Sequence, residues 1–110
     1  MAGISFKISW TRQAVLDLEE IIDFISEDSV QGAQTLFALI KSRCESLKHH
    51  PEKARIVPEL KEIGILNYRE LIVGNYRVFY KVNEKTIFVF AVLDGRRDIE
   101  ALLLNRLLRA

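Results

Sequence analysis

Residues 68–97 read YRELIVGNYRVFYKVNEKTIFVFAVLDGRR: three runs rich in β-branched and aromatic residues, separated by Gly74-Asn75 and Glu84-Lys85. Such side chains fit a pleated, half-buried surface, and Gly-Asn tolerates positive φ, so the stretch predicts a three-stranded antiparallel meander. A two-residue turn at Gly74-Asn75 sets Val73 opposite Tyr76, Leu71 opposite Val78 and Arg69 opposite Tyr80. A second turn at Glu84-Lys85 sets Val82 opposite Ile87, Tyr80 opposite Val89, Val78 opposite Ala91 and Tyr76 opposite Leu93. Directly opposed residues share a face, so one face collects Leu71, Val73, Tyr76, Val78, Tyr80, Val82, Ile87, Val89, Ala91 and Leu93. A one-residue slip would destroy that continuity. The other face holds Tyr68, Glu70, Ile72, Arg77, Phe79, Lys81, Phe88, Phe90, Val92 and Asp94. A face on water should be mostly polar; three phenylalanines around Arg77 imply that another element covers part of it.

Upstream, Ile4, Phe6, Ile8 and Trp10 alternate with polar residues and predict a half-buried strand. Thr11 is placed to cap a helix whose buried stripe is Ala14, Val15, Leu18, Ile21, Ile22 and Ile25. Asp17, Glu19, Glu20, Asp23 and Glu27 form the opposite, acidic side, read as a solvated helix face. Glu27-Asp28-Ser29 breaks this helix and caps a second, with Ala33, Leu36, Phe37, Ile40, Cys44 and Leu47 at helical spacing to about His50. The short break makes the pair an antiparallel hairpin. His49, His50 and Pro51 end it, and two adjacent histidines without further ligands make a poor metal site. Residues 51–66 read as a loop containing Pro58-Glu59-Leu60 and Gly64. After the meander, Asp98 caps a short helix with Ile99, Leu102, Leu103 and Leu107 on one stripe, widened by Leu104 and Leu108.

With 110 residues the chain is sized for one domain, residues 1–110, with a real core. One cysteine, Cys44, excludes an internal disulfide and fits a reducing, cytoplasmic compartment. No run is apolar and long enough to span a bilayer, and no signal pattern opens the chain. Residues 1–54 carry six Lys+Arg against eight Asp+Glu and residues 55–110 ten against seven, an asymmetry too mild to imply nucleic-acid binding by itself. No Gly-rich phosphate loop, Ser/His/Asp arrangement or cofactor motif is present.

The expected fold is therefore α+β: an N-terminal strand, an antiparallel helical hairpin, a three-stranded antiparallel meander packed on the helices, and a short C-terminal helix. In that order the chain resembles the RelE/ParE family of bacterial toxins from type II toxin–antitoxin systems. The matching pieces are Ser9-Trp10-Thr11 with Ala14 and Asp17-Leu18, Ile21, Ile25, Ala33, Leu47 and Pro51, then Pro58-Glu59-Leu60, Arg69-Glu70-Leu71, Gly74-Asn75-Tyr76-Arg77 with Tyr80, and Gly95-Arg96-Arg97-Asp98. Ala54 stands where a glycine is common, and Asp94 where a histidine often precedes the final glycine.

The resemblance implies one of two activities, ribosome-dependent mRNA cleavage (RelE-like) or inhibition of DNA gyrase (ParE-like, often serving plasmid stabilization). Cutting RNA through its 2′-hydroxyl needs a proton acceptor, a proton donor and cations. Arg69, Arg77 and Arg97 match the family's cations, but Leu71 replaces a lysine, the C-terminal tyrosine falls near Leu103, and no histidine follows Gly95. The ParE-like branch is thereby favoured, with Arg77, Arg96 and Arg97 as candidate target contacts; Arg77 also lies diagonal to Glu70, a pairing that could serve only the sheet. A ribonuclease using Arg69, Arg77 and Arg97 is the alternative, and a degenerate member that only binds antitoxin is the third. The resemblance further implies a cognate antitoxin, a toxin–antitoxin hetero-oligomer, and no cofactor or metal. The helical-hairpin groove and the sheet face at Phe79, Phe88 and Phe90, beside Leu103 and Leu107, are the apolar surfaces open to that antitoxin.

Overall fold

The computed structural model describes residues 5–109, so Ile4 of the expected first strand lies outside the described residues. The chain runs β1 (Lys7–Trp10), α1 (Arg12–Ser26), α2 (Val30–Glu45), a 3-10 turn (Ser46–Lys48), β2 (Arg55–Ile56), α3 (Pro58–Lys61), β3 (Tyr68–Val73), β4 (Tyr76–Asn83), β5 (Thr86–Asp94) and α4 (Ile99–Leu108). One sheet has the order β1-β5-β4-β3-β2, with β1 parallel to β5 and every other pair antiparallel.

The caps fall where the sequence places them. Thr11, Ser29 and Asp98 each accept a backbone N–H three residues on, from Ala14, Gly32 and Ala101, satisfying donors that a helix start leaves orphaned. The second helix ends earlier than expected: Glu45 closes α2, and the 3-10 turn carries the chain on to His49. Gly74 takes φ 60° at the first turn position, and Glu84, at φ 56°, occupies the left-handed region in the second.

Between β3 and β4 every expected pair is present: Val73–Tyr76, Leu71–Val78 and Arg69–Tyr80. Between β4 and β5 the expected register holds for Val82–Ile87 and Tyr80–Val89, and then shifts. Phe79 faces Ala91, so Phe90 is an extra, bulged residue, and Val78 faces Val92, not Ala91, while Tyr76 faces Asp94, not Leu93. A bulge reverses the facing of everything beyond it. Ala91 and Leu93 therefore leave the expected core face to join Phe79, and Val92 takes their place beside Val78.

The sheet is covered on both sides. Ala14, Leu18, Ile40, Cys44 and Leu47 of the helical hairpin pack on Leu71, Val78, Tyr80, Ile87, Val89 and Val92. On the reverse, Ile99 and Leu103 of α4 and Val57 and Leu60 around α3 pack on Phe79, Ala91 and Leu93, which is the cover that the phenylalanines demand. Residues 51–66 are not a bare loop: they hold the short edge strand β2, the single-turn α3, and the fully buried Val57 and Leu60. Val15 and Phe37, expected in the buried stripes, are 41% and 45% exposed.

Candidate functional site

The reverse face of the sheet carries the charged candidates. Arg77 projects from β4 across to β3, diagonal to Glu70: it pairs with Ile72 and lies two residues along β4 from Phe79, the partner of Glu70. Its Nε donates to Glu70 Oε1 at 2.5 Å, and its Nη1 and Nη2 donate to the two oxygens of Glu59 at 2.7 Å each. Arg55 Nε of β2 donates to the remaining Glu70 oxygen at 2.5 Å. Two guanidiniums and two carboxylates thus close a charge-balanced network in which the Glu70 side chain has no exposure and Arg77 little. The planar fork of arginine matches a carboxylate bidentately; here the Arg77–Glu59 fork pins α3 to the sheet, while Arg55 ties the edge strand β2 to β3. Glu59's fork raises the Arg77 pKa and Arg77 in turn holds the Glu59 carboxyl below its ordinary range. The pairing of Arg77 with Glu70 across the hairpin is thus real, and α3 adds a second acid to it.

Arg69 lies on the opposite face. It pairs with Tyr80, which belongs to the helical-hairpin core, and its Nη1 donates to the carbonyls of Glu52 at 3.0 Å and Ala54 at 2.6 Å. Tyr80 donates its hydroxyl to the Pro51 carbonyl. These bonds fix residues 51–54. The structure therefore does not bring Arg69 and Arg77 together.

At the exit of β5, Arg96 folds back on Asp94: its backbone N–H and Nε lie 2.9 Å from Oδ1, and Nη2 lies 2.6 Å from Oδ2. These bonds lower the Asp94 carboxyl to about 2. Arg97 is exposed, and its guanidinium has no ion-pair partner among the described residues.

Of the apolar candidates, Phe79 of the sheet and Leu103 of α4 are fully buried against each other's elements. Phe88, Phe90 and Leu107 remain half-buried and line an open groove of about 800 Å³ between α4 and the sheet. Tyr68 meets Phe90 edge-to-face at 5.1 Å in its floor, and Lys81, Arg106 and Arg109 supply cations.

Asp17 corrects the reading of α1's acidic side as wholly solvated. It is 6% exposed. Its Oδ2 accepts the Val92 N–H at 3.0 Å and Arg106 Nη1 at 2.9 Å, and its Oδ1 accepts Arg106 Nη2 at 3.1 Å. Arg106 also donates to the carbonyl of the bulged Phe90 at 2.9 Å. Strand β1 pairs with β5 only as far as Val89, so beyond it the backbone of β5 needs other partners, which Asp17 and Arg106 supply. The signal lay in the spacing: 14, 17, 18, 21 is the stripe rule itself, and an acid stands in it. Glu59 and Arg55 carried no comparable sign, because their role depends on how residues 51–66 fold back.

Comparison with known proteins accords with this architecture. Residues 8–99 match the model of the ParE toxin of type II toxin–antitoxin system, parDE. The chain is 27% identical over 92 residues to the toxin RelE2 of Caulobacter vibrioides, covering 83% of this chain and 97% of that relative. Its fold is shared with the chromosomal ParDE system from P. aeruginosa (TM-score 0.61, 18% identity, 82% of this chain and 96% of that one). It is likewise shared with the toxin–antitoxin complex RelBE2 from Mycobacterium tuberculosis (TM-score 0.58, 14% identity, 83% and 92%). The chain belongs to the ParE toxin family of type II toxin–antitoxin systems.

Proposed function

We propose that this toxin acts by binding DNA gyrase and is neutralised by a cognate antitoxin. One observation carries the reading: the cations that an RNA-cleaving site would need converge neither with one another nor with a carboxylate or base left free to move a proton. Arg77 is engaged by Glu59 and Glu70, and Arg69 is spent on backbone carbonyls of the other face. A carboxylate gripped by a guanidinium is a weak proton acceptor. What remains outward is Arg97, next to Arg96, at the exit of the sheet, a place suited to contact and not to proton transfer.

For the antitoxin, the groove beside α4 offers half-buried Phe88, Phe90 and Leu107 with Lys81 and Arg109 at its edge. Apolar anchors flanked by cations favour an acidic segment that folds onto the toxin. The likeness to a toxin named RelE2 is the observation on the side of ribosome-dependent mRNA cleavage.

A supercoiling assay with purified gyrase tests the proposal. Inhibition at toxin excess is expected, weakened at least about tenfold, or about 1.4 kcal/mol, by Arg97→Glu while the fold is kept. No effect on gyrase overturns it. Codon-position cuts in primer extension on translated mRNA, lost in Arg77→Ala, establish the endonuclease instead. Absence of growth arrest without the antitoxin marks a member that only binds its antitoxin.

A further inference from the structure

Gly95, Arg96 and Arg97 link Asp94, the last residue of β5, to Asp98, the cap of α4. Both aspartates hold the link. Asp94 Oδ1 accepts the backbone N–H of Arg96 at 2.9 Å, the local turn that an aspartate side chain favours. The Asp94 carbonyl accepts the Arg97 N–H at 3.2 Å, and the Gly95 N–H is tied to the Asn75 carbonyl at 2.7 Å. At the far end Asp98 accepts the Ala101 N–H at 3.2 Å. Arg97 therefore projects from a backbone that is already fixed, which lowers the entropy cost of using it in a contact.

The Asp94 carboxylate also decides how many cations the link offers. Arg96 and Arg97 are adjacent, and neighbouring arginines make a natural grip for phosphates. Here Arg96 donates Nε to Asp94 at 2.9 Å and Nη2 at 2.6 Å. Arg97 is exposed and forms no ion pair among the described residues. An exposed ion pair is usually weak. This one closes over two residues and shares an oxygen with the backbone turn, so an outside anion must displace a group that stays within reach. The hydrogen bonds from Arg96 hold the Asp94 carboxyl down at about 2, so the pair is ionised throughout the neutral range.

We propose that Asp94 sets the specificity of this surface: by holding Arg96 back it leaves Arg97 as a lone cation, suited to a single carboxylate of a protein target and poor at gripping a phosphate backbone. The inference rests on the reading of Arg97 as a contact to a protein, and adds how nucleic acid is turned away. A polyanion gains from every further cation, because each releases counterions. A lone carboxylate is satisfied by one planar fork. Freeing Arg96 would thus favour the wrong partner.

Fluorescence anisotropy of a short labelled single-stranded DNA against the full chain tests this. Asp94→Asn keeps an oxygen for the Arg96 N–H while giving up the charge. It should bind the DNA at least about fivefold tighter than the wild type, with a log–log salt slope steeper by about 0.7, the mark of one further phosphate contact. Arg96→Ala in that background should remove both gains. Glu100→Gln deletes another exposed charge, one without an ion pair among the described residues, and should change binding less than about twofold. Asp94→Ser, which also keeps an oxygen for the turn, serves where urea unfolding shows that Asp94→Asn has loosened the fold. Unchanged DNA binding in Asp94→Asn and Asp94→Ser overturns the proposal. So does a gain that survives Arg96→Ala, or an equal gain in Glu100→Gln, which would make net charge the cause. In the gyrase assay, added single-stranded DNA should relieve inhibition by Asp94→Asn and leave inhibition by the wild type unchanged; equal relief of both counts against the proposal. A wild-type chain without effect on gyrase sinks the proposed target, and the anisotropy series still decides the role of Asp94.

Discussion

Asp17 and Arg106 meet although 89 residues separate them, with Nη1 2.9 Å from Oδ2 and Nη2 3.1 Å from Oδ1. The pair joins α1 to α4 around the open margin of β5, and both partners also bond the bulged backbone, Asp17 through the Val92 N–H and Arg106 through the Phe90 carbonyl. Removing one partner leaves the other's charge and a backbone group short of bonds. Asp17→Ala is expected to cost about 3 kcal/mol, at the low end for a buried pair because Arg106 keeps some solvent. Urea unfolding of Asp17→Ala, Arg106→Ala and the double variant should give a coupling above about 1 kcal/mol. Additive losses would mean that the two residues act separately.

That bulge also marks where the sequence stops being legible. The strands and both turns were readable because Gly74-Asn75 and Glu84-Lys85 punctuate runs of β-branched and aromatic residues. The β3–β4 register followed in full because a two-residue turn at Gly74-Asn75 fixes every pair up the hairpin, with no irregularity to shift it. Ile87 to Leu93 are apolar without interruption, and both sides of β5 are covered. Alternation cannot reveal an extra residue where neither face is polar, so the insertion at Phe90 left no trace. The candidate site was half legible for a similar reason. The four arginines stood out, but whether each is free or engaged depends on partners that only the fold supplies: Glu59 from α3 to Arg77, the carbonyls of Glu52 and Ala54 to Arg69, and Asp94 by local folding to Arg96.

The Glu59 pair makes a prediction about acid. The hydrogen bonds from Arg77 hold the Glu59 carboxyl below its ordinary value, so the folded state binds fewer protons at this site than the unfolded chain does. Its contribution is therefore complete above the unfolded value of about 4.3 and is lost as pH falls through the lower, folded one. Glu59→Gln keeps the shape but removes the charge, and should cost about 1.5–3 kcal/mol at neutral pH. Urea midpoints of the two proteins, measured downward from about pH 7, should converge below about pH 4. A difference that persists undiminished into acid would show that Glu59 acts by packing alone.

Cys44 makes the opposite prediction at alkaline pH. Burial on the sheet-facing side of α2 pushes its thiol up to about 12, so the folded state keeps a proton that the unfolded chain releases above about 8.5. Stability should then fall as pH rises from about 8.5. Tyr80, also raised to about 12 by burial, adds its own decline from about pH 10. Cys44→Ala should flatten the first part of that slope and leave the second. In the native protein the thiol should react with a disulfide reagent only at the rate of unfolding; fast labelling under native conditions would contradict the buried placement.

Gly95 tests whether Arg77 is as firmly held as its bonds indicate. A Cβ on Gly95 would sit 2.9 Å from Arg77 Cδ, 3.2 Å from Cγ and 3.3 Å from the Asn75 carbonyl oxygen. That carbonyl already accepts the Gly95 N–H at 2.7 Å, so the backbone has little room to yield. A free arginine stem would swing aside at small cost. This one ends in a guanidinium fixed by Glu59 and Glu70, and moving the stem means breaking the fork. Gly95→Ala should therefore lower stability by about 1–3 kcal/mol, as overpacking does in an interior. The same substitution in an Arg77→Ala background should cost less than about 0.5 kcal/mol, measured if necessary with an osmolyte that favours the folded state. An equal loss in both backgrounds would place the clash at the Asn75 carbonyl and leave Arg77 free to move, in which case its guanidinium is available to a target after all.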